Sequence, residues 1–223
     1  MARELQPHLI IDNRLHHQRG EIDLDEMPVY AGDFVSPEQF IPKTGIVDKH
    51  GRPMPWEACI TTQADSWGYS ATNDKFLSAR DIIYMLVDCV SKNGNLLLNV
   101  GPTAKGEFPK KTIEVLNEVG EWMHENSESI YGCGSADLPQ PEWGRYTEKN
   151  GVIYAHVFDK SGYCLTVKGV GADTVNYAFY LEDLTDIKLA PFWNVEADTK
   201  DIALTLGATL KNPIDTVIKI VRK

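Results

Sequence analysis

The sequence has few features of a membrane protein, an exported precursor or a nucleic-acid-binding protein. Its 223 residues contain no apolar run near the ~18 that a membrane-spanning helix needs. The first residues lack the charged region and cleavage site of a signal peptide. Acidic residues outnumber lysine and arginine by 32 to 22, and the net charge of −10 disfavours nucleic acid and anionic lipid as partners. A neutral substrate remains compatible with this composition.

Cysteine is also sparse, and its spacing excludes the common metal and redox motifs. The four cysteines lie far apart and form no CxxC pair; they are Cys59, Cys89, Cys133 and Cys164. The adjacent His16 and His17 would point to opposite faces of an extended chain, and no other histidine lies at ligand spacing. We therefore predict no metal site and no cofactor.

The N-terminal part alternates between strand and helix patterns. "HLIIDNR" (8–14) and "WEACITTQ" (56–63) are strand candidates on either side of a long loop rich in Gly, Pro and Asp. Ser78 and Asp81 form a capping box before an apolar helical stripe, and Asn93-Gly94 ends that helix. A strand at 95–100 and a helix from Pro109 to about residue 126 follow. This alternation predicts a parallel sheet with outer helices. A chain that starts in the middle of such a unit is expected to be the C-terminal part of a longer protein.

The pattern changes after the linker-like stretch Leu138–Gly144. Five short segments with period-two alternation follow, separated by turn residues and by no convincing helix; they are "GVIYAHVFD", "YCLTVKG", "VNYAFYLE", "DIALTLG" and "DTVIKIVRK". Such spacing predicts a small antiparallel β-sandwich. We therefore predict two domains, an α/β domain over residues 1–135 and an all-β domain over residues 140–223.

Two carboxylates are candidates for chemistry. Glu38 follows a proline on the loop between the first two strands, where it is either a solvated loop residue or a mobile acid held over a pocket. A glycosidic oxygen leaves poorly until it is protonated, and an acid of this kind can protonate it. Glu57 begins a strand, whereas parallel-sheet enzymes build their sites at the carboxyl ends of strands. That rule favours Arg14 and the Thr-Thr-Gln end, with Glu57 as a supporting residue.

The aromatic residues Trp56, Trp67 and Tyr69 allow two interpretations. Aromatic side chains dominate hydrophobic cores, but they also form flat apolar walls against the C–H groups of a sugar. Composition does not separate the two. Residue patterns alone therefore predict an α/β hydrolase for polar neutral substrates.

Several segments, in order, resemble the α-L-fucosidases of glycoside hydrolase family 29. They are "ARELQPHLIIDNR", "GDFVSPEQ", "WEACITTQADSWGY", "LVDCVSKNGNLLLNVGPTAKGEF" and "EWMHENSESIYG". The match runs from residue 2 to about residue 132. It implies the C-terminal portion of a (β/α)8-like barrel, here followed by the sandwich. It also implies release of terminal α-L-fucose from glycans by a retaining mechanism.

By the resemblance, Glu38 is the acid/base and Glu57 the runner-up. Arg14 is then a partner of the nucleophile or of sugar hydroxyls, and Trp67 lies against the fucose ring, with Trp56 and Tyr69 as further substrate contacts. The family's nucleophile lies on an earlier strand, so none is assigned here, and the missing barrel half is expected as a partner. The family is usually exported, to the periplasm or outside the cell, or lysosomal. The alternatives are a carbohydrate-binding module without catalysis and an inactive remnant.

Overall fold

A computed structural model describes residues 2–15, 32–160, 162–190 and 200–223. The histidine pair at 16 and 17 and the first part of the predicted long loop lie outside these residues. The helices are α1 (Ala2–Leu5), α2 (Ala79–Val90) and α3 (Lys110–Asn126). The strands are β1 (Trp56–Thr61), β2 (Gly94–Asn99), β3 (Gly134–Ser135), β4 (Gly144–Lys149), β5 (Val152–Val157), β6 (Cys164–Val167), β7 (Val175–Tyr180), β8 (Ile202–Thr205) and β9 (Thr216–Arg222).

The N-terminal part is built on parallel pairing. Strand β1 pairs with β2 in parallel along its whole length. Isolated parallel bridges extend this pair on the β1 side, where Val35 bridges to Trp56 and Phe34 bridges to Asp12. Four extended segments thus run side by side in one direction, and their carboxyl ends meet at one edge. The predicted parallel sheet is confirmed for these segments.

Helix α2 begins and ends where its sequence predicts. The Ser78 side chain accepts a hydrogen bond from the Asp81 amide, and the Asp81 side chain accepts one from the Ser78 amide. The apolar stripe of α2 packs on the sheet and on α3; its buried members include Ile82, Ile83 and Val87. No helix that the structure describes is long and apolar enough to cross a membrane.

The C-terminal part is antiparallel throughout. Its larger sheet has the order β3-β4-β5-β9-β7, and its smaller sheet pairs β6 with β8. The two sheets share one apolar core, in which Ile153 and Ile218 from the larger sheet meet Val167 and Leu204 from the smaller one. This arrangement confirms the predicted β-rich C-terminal part.

A second core joins the two parts. Ile83 and Val87 of α2 and Trp122 of α3 pack with Tyr154 of β5 and Val217 of β9. The pairing changes from parallel to antiparallel between the end of α3 and β3, close to the predicted boundary. The division into domains 1–135 and 140–223 stays a prediction.

Two segments differ from their predicted structure. Residues 8–14 were expected to form a strand, but only Asp12 makes a bridge and Asn13–Leu15 form a 3-10 helix. The reason is local, because the Asp12 carboxylate accepts the Arg14 amide and the Asn13 side chain accepts the Ser36 amide. Strand β4 was not predicted, because it begins at Gly144, the last residue of the linker-like stretch.

Candidate active site

Arg14 and Glu38 meet beyond the carboxyl ends of neighbouring parallel segments. Arg14 follows the Asp12 bridge, and Glu38 follows the Phe34 and Val35 bridges and itself pairs with Cys59 of β1. Arg14 Nη1 donates to Glu38 Oε2 over 2.6 Å, and Arg14 Nη2 donates to the Ser36 carbonyl over 3.1 Å. The Arg14 guanidinium thus donates hydrogen bonds both to the Glu38 carboxylate and to the backbone of the loop that carries Glu38.

The Arg14–Glu38 pair is electrostatically coupled but accessible. The hydrogen bond that Arg14 donates to Glu38 is the largest influence on the Arg14 pKa and raises it above the usual range, against the opposing effect of burial. Both side chains are nearly half exposed. An exposed pair of this kind stabilises a fold by at most about 1 kcal/mol, so its geometry suits a substrate-facing role better than a structural one.

Gln39 anchors the Glu38 loop to β1. Its amide donates to the Cys59 carbonyl, and its side chain contacts Thr61 at the end of the strand. Gln39 has a φ of 61°, in the left-handed region that residues other than glycine seldom adopt. Sequence patterns did not identify Gln39, because neither a positive φ nor a contact across strands shows in residue order.

Trp67 and Tyr69 lie on the loop that follows β1, and both are exposed. The buried Gln63 side chain bonds both the amide and the carbonyl of Ser70, which fixes the far side of this loop. Asn99, at the end of β2, donates to the Trp67 carbonyl over 2.8 Å. The predicted sugar-contacting loop therefore stands at the same edge as Glu38. Gln63 was favoured as part of the Thr-Thr-Gln end, whereas Asn99, which ends β2, was not singled out as a site residue.

The structure contradicts the predicted role of Trp56 as a substrate contact. Its side chain is only 1% exposed and belongs to a core with Ala58, Ile60 and Cys89 beneath the sheet. The indole lies so close to Gly94 that an added Cβ there would stand 2.2 Å from the ring. Strand alternation places Trp56 on the helix-facing side, so it is not available to a substrate.

Glu57 faces the other side of the sheet, but at the wrong end for the site. It pairs in register with Asn95, the second residue of β2. It lines a shallow cavity together with Ile10, Asp33 and Pro55, which all precede or begin their segments. The structure therefore does not bring Glu57 to the edge where Arg14 and Glu38 meet, although all three lie close enough to influence Cys59.

The Cys59 thiol reports on these charges. Burial raises the pKa of Cys59 most; the Arg14 guanidinium opposes that rise, and Glu38 and Glu57 add to it. The thiol therefore lies within electrostatic range of the pair, on the same face of the sheet. Because the thiolate is the reactive form, its alkylation rate measures the local balance of charge.

We expect substitution of the pair to change Cys59 alkylation in opposite directions. Arg14→Met removes the charge that lowers the Cys59 pKa, so alkylation near pH 8 should slow. Glu38→Gln removes a charge that raises the Cys59 pKa, so alkylation should become faster. A change of one pKa unit corresponds to about tenfold in thiolate population. Iodoacetamide labelling followed by peptide mass spectrometry measures the rate at Cys59, with Cys164 on β6 as the internal control. Rate changes in the same direction would contradict this geometry.

The described residues do not bring a set of metal ligands together. No group of three or more His, Cys, Asp or Glu side chains within that part of the chain could hold a metal ion. The four cysteines are free thiols. The histidine pair at 16 and 17 lies outside the described residues, so the prediction that it forms no metal site stays a prediction.

Comparison with known proteins gives a consistent family. The family model described as "Alpha-L-fucosidase" matches residues 1–128. An alpha-L-fucosidase of Branchiostoma floridae is 34% identical over 135 residues, which cover 58% of this chain and 29% of that protein. The plasma alpha-L-fucosidase of Homo sapiens is 39% identical over 113 residues, which cover 48% of this chain and 24% of that protein.

Solved structures match the whole chain, including the β-rich part. The alpha-L-fucosidase isoenzyme 1 from Paenibacillus thiaminolyticus is 44% identical with a TM-score of 0.91, and the match covers 100% of this chain and 52% of that one. An alpha-L-fucosidase from Bacteroides thetaiotaomicron, trapped as a covalent intermediate, is 26% identical with a TM-score of 0.83 and covers 99% and 50%. The chain thus spans about half the length of these solved relatives and under a third of the two curated relatives named above.

Proposed function

The chain belongs to the alpha-L-fucosidase family, and we propose that it forms the C-terminal part of a retaining α-L-fucosidase that releases terminal α-L-fucose from glycans. The observation that carries the proposal is the Arg14–Glu38 pair at the carboxyl edge of a parallel sheet, with the Trp67 loop beside it. A carboxylic acid, a cation and an exposed indole at one edge suit a neutral, hydroxyl-rich substrate.

We propose that Glu38 is the acid/base residue. In a retaining mechanism it protonates the leaving oxygen while a second carboxylate attacks the anomeric carbon, and it then activates the water that releases fucose. Arg14 orients the Glu38 carboxylate, and Trp67 and Tyr69 form the wall against the sugar. No nucleophile is assigned on this chain. The Bacteroides relative is described as a trapped covalent intermediate, which supports the retaining assignment.

The parallel segments are proposed to be the last four strands of a (β/α)8 barrel. The sheet face opposite the helices supports this proposal, because it exposes apolar side chains to solvent. Ile10 is 72% exposed and Leu97 is 48% exposed. The other half of the barrel would cover this face and supply the nucleophile. Residues 1–135 would then be barrel and residues 140–223 the appended β-domain. The chain by itself is expected to be inactive, and poorly soluble or oligomeric.

A chimaera tests the proposed function. Residues 1–223 replace the matching half of the Paenibacillus enzyme, which retains its own first half. We expect the chimaera to hydrolyse an aryl α-L-fucoside and the isolated chain to show no turnover, because losing a nucleophile costs several orders of magnitude in rate. The parent Paenibacillus enzyme is the positive control.

The outcomes separate the alternatives. Turnover by the isolated chain would contradict the assignment of the nucleophile to the other half. A chimaera that folds and binds a fucose-like iminosugar without turnover would favour a binding module. A folded chimaera that neither binds nor hydrolyses would favour an inactive remnant.

A further inference from the structure

The β-rich part contains a cleft that the proposed hydrolysis does not use. It lies between the segment that leads into β4 and the strand β6 with its following turn. Its wall is formed by Pro139, Pro141 and Trp143, and its floor by Tyr146 and Thr166. Lys168 stands at its rim. The cleft is thus lined by apolar rings with polar groups at defined points.

Trp143 presents a fixed ring to the cleft. Its Nε1 donates to the Thr166 carbonyl over 3.3 Å, which ties the indole to β6. Its ring meets that of Tyr146 edge to face, with centroids 5.3 Å apart and planes at 88°. A half-buried indole held by a hydrogen bond and a neighbouring ring offers a ligand a rigid flat surface at little cost in side-chain entropy.

Tyr146 brings an unpartnered hydroxyl to the same place. The residue is only 5% exposed and its ring belongs to the core between the two sheets, yet it lines the cleft. Among the described residues its hydroxyl has no hydrogen-bond partner. Burial raises the pKa of Tyr146, so the group stays a donor at neutral pH. The hydroxyl oxygen is not among the buried polar atoms that lack a partner, so it is open to the cleft, where it can donate to a ligand oxygen.

The charges around the cleft select the kind of ligand. Glu142 and Lys168 carry opposite charges, and neither makes an ion pair within the part of the chain that the structure describes. Lys160, also in the lining, already donates to the carbonyl oxygens of Gly162 and Gly207. Asp201 also lies close enough to raise the pKa of Tyr146, so two carboxylates balance Lys160 and Lys168, and the cleft has no net preference for an anion or a cation. A neutral ring with many hydroxyls and an apolar face satisfies all of these groups.

We propose that the Trp143–Tyr146 cleft binds a neutral saccharide unit, with its apolar face on the indole and a ring oxygen or hydroxyl accepting from Tyr146. This binding requires no hydrolysis and no other part of the barrel. It would hold a glycan on the β-rich part of the chain.

Saturation-transfer difference NMR on the 223-residue chain tests this site, because the method tolerates large or associated proteins. The probes are lactose and N,N′-diacetylchitobiose, which are neutral and contain no fucose. We expect transfer to at least one of them, with a dissociation constant near 1 mM. Tyr146→Phe should weaken that binding by about three- to tenfold, the usual effect of losing one neutral hydrogen bond. Lys168→Ala, at the exposed rim, should weaken it about twofold to fivefold.

The controls separate this cleft from other surfaces. Tyr177→Phe removes a hydroxyl from an exposed tyrosine on β7 that does not line the cleft, and Glu38→Gln alters the candidate active site; both should leave the binding unchanged. The proposal is overturned if neither disaccharide shows transfer, if Tyr146→Phe and Lys168→Ala bind like the parent, if sulfate displaces the sugar, or if Glu38→Gln abolishes binding. Circular dichroism checks that each variant is folded. If Tyr146→Phe does not fold, the binding of the exposed Lys168→Ala variant tests the proposal instead.

Discussion

Glu38→Ala in the chimaera is expected to lower kcat/KM for a fucoside with a poor leaving group by about 10²- to 10⁴-fold. An alkoxide leaves poorly unless it is protonated as the bond breaks, and Glu38 is the carboxylic acid that the structure holds at the carboxyl edge of the sheet. A nitrophenyl fucoside should lose much less in the first step, because its leaving group needs little protonation. The two substrates are compared in steady-state assays over a range of pH.

Glu57→Ala is the matched control for Glu38→Ala. It removes a carboxylate from the same face of the sheet, but at the amino end of β1, where it lines a cavity with Ile10 and Asp33. We expect a small effect that does not depend on the leaving group. Added azide should restore turnover of the nitrophenyl fucoside to Glu38→Ala only, because azide attacks the anomeric carbon without a general base, displaces the enzyme carboxylate and leaves as fucosyl azide. If the leaving-group dependence appears instead in Glu57→Ala, the acid/base assignment moves to Glu57.

Sequence patterns predicted the elements whose signals are local. The capping box at Ser78 and Asp81 and the apolar stripe behind it define α2 without help from the rest of the fold. The antiparallel strands after residue 150 also carry their own period-two patterns. The strand expected at 8–14 is different, because the polar side chains of Asp12 and Asn13 bond nearby amides and stop the extended pairing after one bridge.

The candidate site was predictable only in part, because it depends on which face and which end of a strand a residue occupies. Alternation along β1 could have separated Trp56, which shares a face with Ala58 and Ile60, from Glu57. The Arg14–Glu38 contact joins residues 24 apart, so it needs the parallel pairing that the structure supplies. Asn99 was missed for the same reason, since its role is to hold a loop that follows another strand, and the hold of Gln63 on Ser70 was not predicted either.

Asp215→Ala is expected to lower the free energy of unfolding by about 1–3 kcal/mol, the usual cost of leaving a buried polar group without its hydrogen-bond partner. Asp215 and His156 are both fully buried, and His156 Nδ1 lies 2.7 Å from Asp215 Oδ2. The Asp215 carbonyl also accepts the indole N–H of Trp122 over 3.2 Å, which ties α3 to the start of β9. The pair therefore lies in the core that joins the helices to the β-rich part. Urea denaturation of the 223-residue chain measures the loss.

The hydrogen bonds around His156 explain why the ring cannot adapt to this loss. The Thr147 hydroxyl donates to the Ser129 carbonyl over 2.7 Å, so its oxygen must accept from His156 Nε2, 3.2 Å away. His156 Nε2 therefore donates to Thr147, and removal of Asp215 leaves His156 Nδ1 in the core without its hydrogen-bond partner. His156→Leu combined with Asp215→Ala should therefore cost less than the sum of the single substitutions. Glu114→Ala, in an exposed pair on α3, is the control and should change stability by less than about 1 kcal/mol. A loss as small as that for Asp215→Ala would contradict the assigned role of the pair.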